Sequence, residues 1–132
     1  KEIIEKEVLP ITDETEGVDT IYSEIKMNNY NPTLNTAREE YTVAITNPDG
    51  SREEISFVPD GWVEYKNNPF YWTFEFNSSS DGVTSGQKEF IERRNSMGPS
   101  MNKVILIGVD TEENIRKKTK DYLAKFSAEA DG

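Results

Sequence analysis

Neither cysteine nor histidine occurs among the 132 residues. Without cysteine, the chain has no disulfide bonds, no thiolate nucleophile and no zinc site built on sulfur. Without histidine it has no imidazole base, so the Ser-His-Asp and Cys-His arrangements of many hydrolases are excluded. We therefore expect a protein without a cofactor or metal centre, and one that is not an enzyme.

Long apolar runs and an excess of positive charge are also missing. No run reaches the roughly 18 apolar residues typical of a membrane-spanning helix. The formal net charge is −10, and residues 1–66 hold 15 Asp and Glu against 6 Lys and Arg. Because such a field repels nucleic-acid phosphates and anionic lipid surfaces, we expect no direct binding of nucleic acid and no membrane insertion. A basic protein partner would be attracted instead. Virion, bacterial surface and cytoplasm are all compatible with these features.

The acidic residues help to divide the chain into segments. Residues 1–19 combine a short apolar pattern, an acidic run and Pro10, which indicates an N-terminal arm or linker. An edge strand through Glu7–Thr12 is the alternative for this segment. Residues 20–126 then form a single α+β domain, the number of domains that a chain of this length favours, and residues 127–132 form a frayed tail.

Two parts of the first half alternate between apolar and polar residues, as half-buried strands do. Residues 18–27 show this alternation, and we expect a strand there. Residues 41–46 and 55–57 alternate on either side of the sequence Asn-Pro-Asp-Gly at 47–50. Proline followed by Asp-Gly is typical of a tight turn, so this region predicts a β-hairpin.

Residues 70–76 hold five aromatic rings in an otherwise polar chain. In a strand, alternate residues point to the same face, and the residues that would share a face here are Phe70, Trp72, Phe74 and Phe76. We expect these four rings to form the core rather than a binding surface. An open cleft lined by these rings beside converging acidic side chains would contradict this interpretation.

The second half predicts a helix near 87–97, a strand at 103–109 and a last helix that ends at Phe126. The strand is apolar almost without interruption, so we expect it to be covered on both faces and central in its sheet. Strands grouped first and helices grouped later indicate an α+β fold, an antiparallel β-meander of about five to six strands packed against two C-terminal helices.

Short patterns that resemble catalytic or binding motifs lack the remaining elements of those motifs. Gly82 and Gly86 lie one residue too close together for a phosphate-binding loop. Ser85 and Lys88 have S-x-x-K spacing, but the other elements of the serine β-lactamases are missing. Pairs of carboxyl groups suited to glycosidase chemistry will occur by chance among 25 Asp and Glu. We therefore assign no catalytic residue.

An exposed aromatic face is the stronger candidate for a functional site. The residues that we expect to contribute to this interface are Tyr22, Trp62, Tyr65 and Tyr71. Trp62 and Tyr65 have opposite parity in their strand, so one of these two rings should point away from the core. Trp and Tyr on a sheet face commonly anchor protein interfaces and can stack on sugar rings. The alternative is that the rings cover the edge of the core or lie beneath the N-terminal arm.

Our leading hypothesis is a non-catalytic protein-protein interaction or assembly module, such as a structural subunit of a phage particle or a bacterial surface structure. It would bind a protein partner or self-assemble. One alternative is an acidic inhibitor that occupies a basic nucleic-acid or nucleotide site on a target protein. Another is a carbohydrate-binding module that uses Trp62, Tyr65 and Tyr71.

Overall fold

The computed structural model describes residues 9–65, 68–77, 83–97 and 102–131. Within these ranges the chain forms an α+β fold of six strands and three helices. In chain order the elements are α1 (Glu14–Met27), β1 (Asn31–Leu34), β2 (Tyr41–Thr46), β3 (Arg52–Phe57), β4 (Gly61–Tyr65), β5 (Asn68–Asn77), α2 (Ser85–Asn95), β6 (Val104–Gly108) and α3 (Glu112–Asp131).

The main sheet has four strands in the order β1-β4-β5-β6. Strand β4 is antiparallel to β1 and to β5, whereas β5 and β6 are parallel. The sheet is therefore mixed, and the prediction of a purely antiparallel meander is wrong. The reason is that α2 connects β5 to β6. A helical crossover of this kind lets the second strand run parallel to the first. Strands β2 and β3, which lie between β1 and β4 in the sequence, form a separate two-stranded antiparallel sheet. This confirms the predicted hairpin.

Each face of the main sheet has its own apolar cluster. On one face, α1 and α3 pack against alternate residues of β4, β5 and β6; the buried residues are Ile21, Ile25, Val63, Tyr65, Trp72, Phe74, Phe76, Ile105, Ile107, Ile115, Leu123 and Phe126. On the other face, α2 and the β2–β3 hairpin cover β6; the buried residues are Val43, Ile45, Phe57, Val83, Phe90, Ile91, Val104 and Leu106. The domain thus has three layers, with the sheet in the middle.

Strand β5 lies inside the sheet and is buried on both faces. The rings of Trp72, Phe74 and Phe76 are 3%, 0% and 0% exposed, which confirms the core prediction for these three residues. The side chain of Phe70 lies outside the described part of the chain. On the opposite face of β5, Thr73 and Glu75 are buried as well. A carboxyl group therefore lies in the middle of the most aromatic strand.

Helix α1 replaces the strand that we predicted at 18–27, and that prediction is wrong. The Asp13 side chain caps the helix, because its Oδ1 accepts the N–H groups of Thr15 at 2.8 Å and Glu16 at 3.3 Å. Ile21 and Ile25, both fully buried, are four residues apart. Side chains four residues apart share a face in a strand and also in a helix. The apolar pattern therefore could not distinguish a strand from a helix at 18–27.

Helices α1 and α3 run across the positions where we expected the arm to end and the tail to begin. Residues 14–19, assigned to the N-terminal arm, form the first turns of α1, and residues 1–8 lie outside the described ranges. Gly17 faces Phe76 so closely that a Cβ atom there would lie 2.4 Å from the ring. Glycine thus permits α1 to approach β5. At the other end, α3 continues through Asp131, past the predicted end at Phe126.

Strand β6 is covered on both faces, as predicted, but it lies at the end of the strand order rather than in the centre. Asn95 of α2 covers part of its outer edge. The Asn95 Nδ2 donates to the Val104 carbonyl at 2.8 Å, and its Oδ1 accepts the Val104 N–H at 3.0 Å. This amide pairs with Val104 as a neighbouring backbone would, so both backbone groups of Val104 have partners at this edge.

Candidate functional site

The aromatic residues that we predicted to form one interface lie in different parts of the fold. Tyr22 is half-buried on α1, where the Lys26 Nζ lies 5.7 Å from the centre of its ring. Trp62 is half-buried on β4, in register with Thr73. Paired residues share a face, so Trp62 lies on the hairpin side of the sheet, whereas Tyr22 lies on the helix side. The structure does not bring these two residues together.

Tyr65 belongs to the core, and its predicted place on an exposed face is wrong. It is 2% exposed, and its ring lies 6.0 Å from that of Tyr30 and 5.4 Å from that of Trp72. The reason is its parity, since Tyr65 shares a face with Val63 beneath α1 and α3. Tyr71 pairs with Glu64 in the strand register, and its side chain lies outside the described part of the chain.

A cavity of about 520 Å³ is a stronger candidate for a functional site. It lies where the start of α1, the loops after β1 and β3, strand β5 and the start of α2 meet. Its volume falls in the range of roughly 300 to 1,000 Å³ that is usual for ligand pockets. Polar and charged residues form much of its lining, namely Glu14, Asn35, Arg38, Ser56, Asp60, Glu75 and Gln87. The apolar part of its lining consists of Phe57, Val58, Pro59 and Val83. We call this cavity the carboxyl pocket, after Glu14, Asp60 and Glu75.

Asn35 holds the two loops that form one side of the carboxyl pocket. Its N–H donates to the Asp60 carbonyl at 2.9 Å, and its Nδ2 donates to the carbonyls of Pro59 and Glu39, each at 2.9 Å. Its Oδ1 accepts the Glu39 N–H at 2.9 Å. Arg38 lies between Asn35 and Glu39 in this loop. Its φ is 55°, a left-handed conformation that is uncommon for a residue other than glycine. The buried asparagine therefore fixes the loop that brings Arg38 to the pocket.

Asp60 is anchored to the end of β5. Its Oδ2 accepts the Phe76 N–H at 2.6 Å, and its own N–H donates to the Phe74 carbonyl at 2.9 Å. Burial, together with the negative charge of Glu14 and a hydrogen bond with the Glu14 side chain, raises the pKa of Asp60 to about 6, although the Phe76 N–H and Arg38 act to lower it. Asp60 consequently changes its charge close to neutral pH.

Glu75 is the most deeply buried carboxyl group of the pocket. It is 4% exposed and lies on the face of β5 opposite the three buried rings. Within the described residues, its Oε2 has no hydrogen-bond partner. Burial, followed by the negative charges of Asp60 and Glu14, raises the pKa of Glu75 to about 9. At neutral pH this side chain is therefore a neutral acid that can donate a hydrogen bond.

The pocket thus combines a protonated carboxyl group with one that titrates near neutral pH. Such a pair can donate a proton, accept a proton, or bind a cation after losing its protons. In the described ranges, no three acidic side chains are arranged to hold a metal ion. Acidic side chains do converge here, but the rings of Trp72, Phe74 and Phe76 lie in the core on the other face of β5, not along the pocket.

Sequence reasoning did not find this site. Strand parity placed Glu75 opposite the buried rings, which in a two-layer fold is the solvent face. The third layer of α2 and the hairpin buries it instead. The available signal was a lone carboxyl group inside the most aromatic strand, followed by a strand–helix–strand pattern that predicts cover on both faces.

Comparisons with protein-family models, with curated proteins and with solved structures found no match to this chain. Among the helices of the described ranges, none is both long and apolar enough to cross a membrane. The geometry of the carboxyl pocket is therefore the basis for assigning a function.

Proposed function

We propose that this protein is a non-catalytic binding protein that recognises a small polar ligand in the carboxyl pocket. The observation that carries the proposal is the state of Glu75, a side chain that lines the cavity, is almost fully buried, and has an Oε2 without a hydrogen-bond partner in the described part of the chain. A buried polar atom without a partner costs about 1 to 3 kcal/mol. A ligand that bonds to Glu75 would recover that free energy.

The other polar side chains of the pocket favour binding over reaction. Asn35 uses its amide on backbone groups of the two surrounding loops. Gln87 accepts the Thr84 N–H at 3.0 Å and donates to the Ser56 carbonyl at 3.3 Å. These residues are engaged in holding the walls, so they give the pocket a fixed shape rather than a reactive group. A preformed shape is typical of ligand sites.

Titration with small molecules of different charge tests this proposal. We expect at least one class of small polar ligand to raise the unfolding temperature of the wild-type protein and to shift the NMR signals of residues around the pocket. The Glu75→Gln variant should lose most of that response. Glu64→Gln is the matched control, because Glu64 is an exposed glutamate on the neighbouring strand β4. A response that is the same in both variants would show that the ligand binds elsewhere.

A protein interface is a second candidate, and one observation favours it. The half-buried rings of Trp62 and Tyr41 lie 5.8 Å apart on the hairpin side of β4, where a partner could cover them. This pair supports the assembly hypothesis, including a subunit of a phage particle or a bacterial surface structure. A carbohydrate platform made of Trp62, Tyr65 and Tyr71 has less support, because Tyr65 is buried.

Light scattering at low and high salt tests the assembly hypothesis. Self-assembly through apolar rings predicts an oligomer that persists at high salt and that Trp62→Gln weakens. A monomer under both conditions would count against self-assembly. Association with a basic partner that disappears at high salt would instead favour the acidic inhibitor.

A further inference from the structure

We propose that the carboxyl pocket binds a primary alkylammonium group, with the ammonium against Glu75 and Asp60 and the alkyl chain against the apolar wall. This inference rests on the proposed function, because it names the chemical class of the ligand for the same pocket. A free alkylamine and a lysine side chain both carry such an ammonium group. Comparing n-butylammonium with a blocked lysine derivative separates these two sources.

The charge of the lining selects a cation. Carboxyl groups enter the pocket from three separate elements, with Glu14 from α1, Asp60 from the connection between β3 and β4, and Glu75 from β5. Among the described residues that line the pocket, Arg38 is the one cation, and it is exposed. An anionic ligand would meet three acidic groups, whereas a cation would add positive charge beside the buried Glu75 and the half-buried Asp60.

The acidic and apolar lining residues favour an organic ammonium group over a metal ion. Because no three acidic side chains in the described ranges are arranged to hold a metal, full coordination of a metal ion has no support. An ammonium group has three N–H donors, which suits the unpartnered Oε2 of Glu75 and a neighbouring carboxylate. Phe57, Val58 and Val83 supply the apolar surface that an alkyl chain of several carbons would cover.

Binding of the ammonium group would displace protons from the pocket. In the described lining, the charged groups that face Asp60 and Glu75 are Arg38 from the loop after β1 and Glu14 from α1. The described lining residues of β3 and α2 are uncharged. The ammonium charge favours the ionised form of Glu75, so the proton of Glu75 leaves when the ligand enters. Release of one proton per ligand strengthens binding by up to about tenfold for each unit of rising pH.

Calorimetric titration with n-butylammonium chloride tests this inference. We expect binding at about pH 8 to be at least about tenfold tighter than at about pH 6, with proton release detected as a heat that depends on the ionisation enthalpy of the buffer. n-Butanol is the neutral control of the same length, and butyrate is the anionic control. Both should bind at least about tenfold more weakly than the amine.

Two pocket variants and one surface variant complete the test. Glu75→Gln should weaken n-butylammonium binding by at least about tenfold. At pH 8, where Asp60 is already ionised, it should also abolish the buffer-dependent heat, because residue 75 then has no proton to release. Asp60→Asn provides a second pocket variant that can still accept the Phe76 N–H, and it should also weaken binding. Glu64→Gln should bind as the wild type does. Equal binding by wild type and both pocket variants would overturn the inference.

The remaining outcomes separate the ligand class from the proposed function. Binding of butanol, butyrate or Mg²⁺ that depends on Glu75 and exceeds that of the amine would overturn the ammonium assignment and leave the binding pocket intact. Failure of all four probes to bind in the pocket would overturn the ammonium assignment. Failure of every class of small polar ligand in the wider titration as well would overturn the proposed function. Two ammonium ligands are then compared, n-butylammonium and a lysine derivative blocked at both ends. Tighter binding of the lysine derivative would identify a protein side chain as the source of the ammonium group. Tighter binding of n-butylammonium would identify a free amine.

Discussion

Replacing Glu75 with Gln should make the protein more stable at neutral and alkaline pH. In the unfolded chain the carboxyl group ionises near its ordinary pKa of 4.5, whereas in the folded protein its pKa is raised to about 9. Between these values the folded state keeps a proton that the unfolded state has lost. The free energy of unfolding therefore falls as the pH rises, by about 1.4 kcal/mol per pH unit.

The range from pH 6 to pH 8 isolates this effect. Two pH units correspond to a loss of about 3 kcal/mol, a large fraction of the roughly 5 to 15 kcal/mol that stabilises a domain. The sequence has no histidine, so few other side chains titrate in this range. The pKa of Asp60 is raised to about 6, so the stability that this residue costs as the pH rises is lost mainly below pH 6. The slope between these pH values should therefore come mostly from Glu75.

Urea denaturation followed by tryptophan fluorescence measures this slope. The wild-type protein and the surface control Glu64→Gln should both lose about 3 kcal/mol between pH 6 and pH 8, and Glu75→Gln should lose less than about 1 kcal/mol. The reasoning would be refuted by a wild-type stability that is constant or rises over this range, or by a Glu75→Gln variant that keeps the wild-type slope.

Two further changes test the contacts that place the layers. Gly17→Ala should lower the free energy of unfolding by about 2 kcal/mol, because the added methyl group would overlap the Phe76 ring. Gly86→Ala is the control, because an added Cβ atom there meets nothing within 4 Å, and it should raise the free energy of unfolding by about 0.5 to 1 kcal/mol. A loss of stability equal to that of Gly17→Ala would contradict the packing argument. Asn95→Ala should cost about 2 to 3 kcal/mol in the same urea assay, because it leaves both backbone groups of Val104 without their partner, and a loss below about 0.5 kcal/mol would contradict that role.

Local patterns predicted the elements whose structure depends on neighbours in sequence. The turn at 47–50 fixes the β2–β3 hairpin, and strand parity places Trp72, Phe74 and Phe76 on one buried face. Helix α1 could not be distinguished in the same way, because Ile21 and Ile25 satisfy both periodicities. There the decisive signal was the Asp13 cap, with acidic residues in the first helical turn.

The carboxyl pocket could not be predicted because it is made by contacts between layers. Its acidic residues come from α1, from the connection after β3 and from β5, and the sequence gives no distance between them. The parallel pairing of β5 with β6 brings α2 over the face that holds Glu75. Once that layer is in place, a residue on the polar side of a strand becomes a buried acid.

The two acids of the pair differ in what they contribute to folding, and this difference links the stability test to the ligand test. Asp60 accepts the Phe76 N–H and so has a structural use for its carboxylate. The Oε2 of Glu75 has no comparable partner in the described ranges, and the raised pKa of this side chain lowers stability at neutral pH. Groups that reduce stability without a structural use are concentrated at functional sites, where binding makes use of them. Glu75→Gln should therefore gain stability and lose ligand binding together. A variant that gained stability and still released a proton on binding would separate the two effects and assign the proton to another group of the pocket.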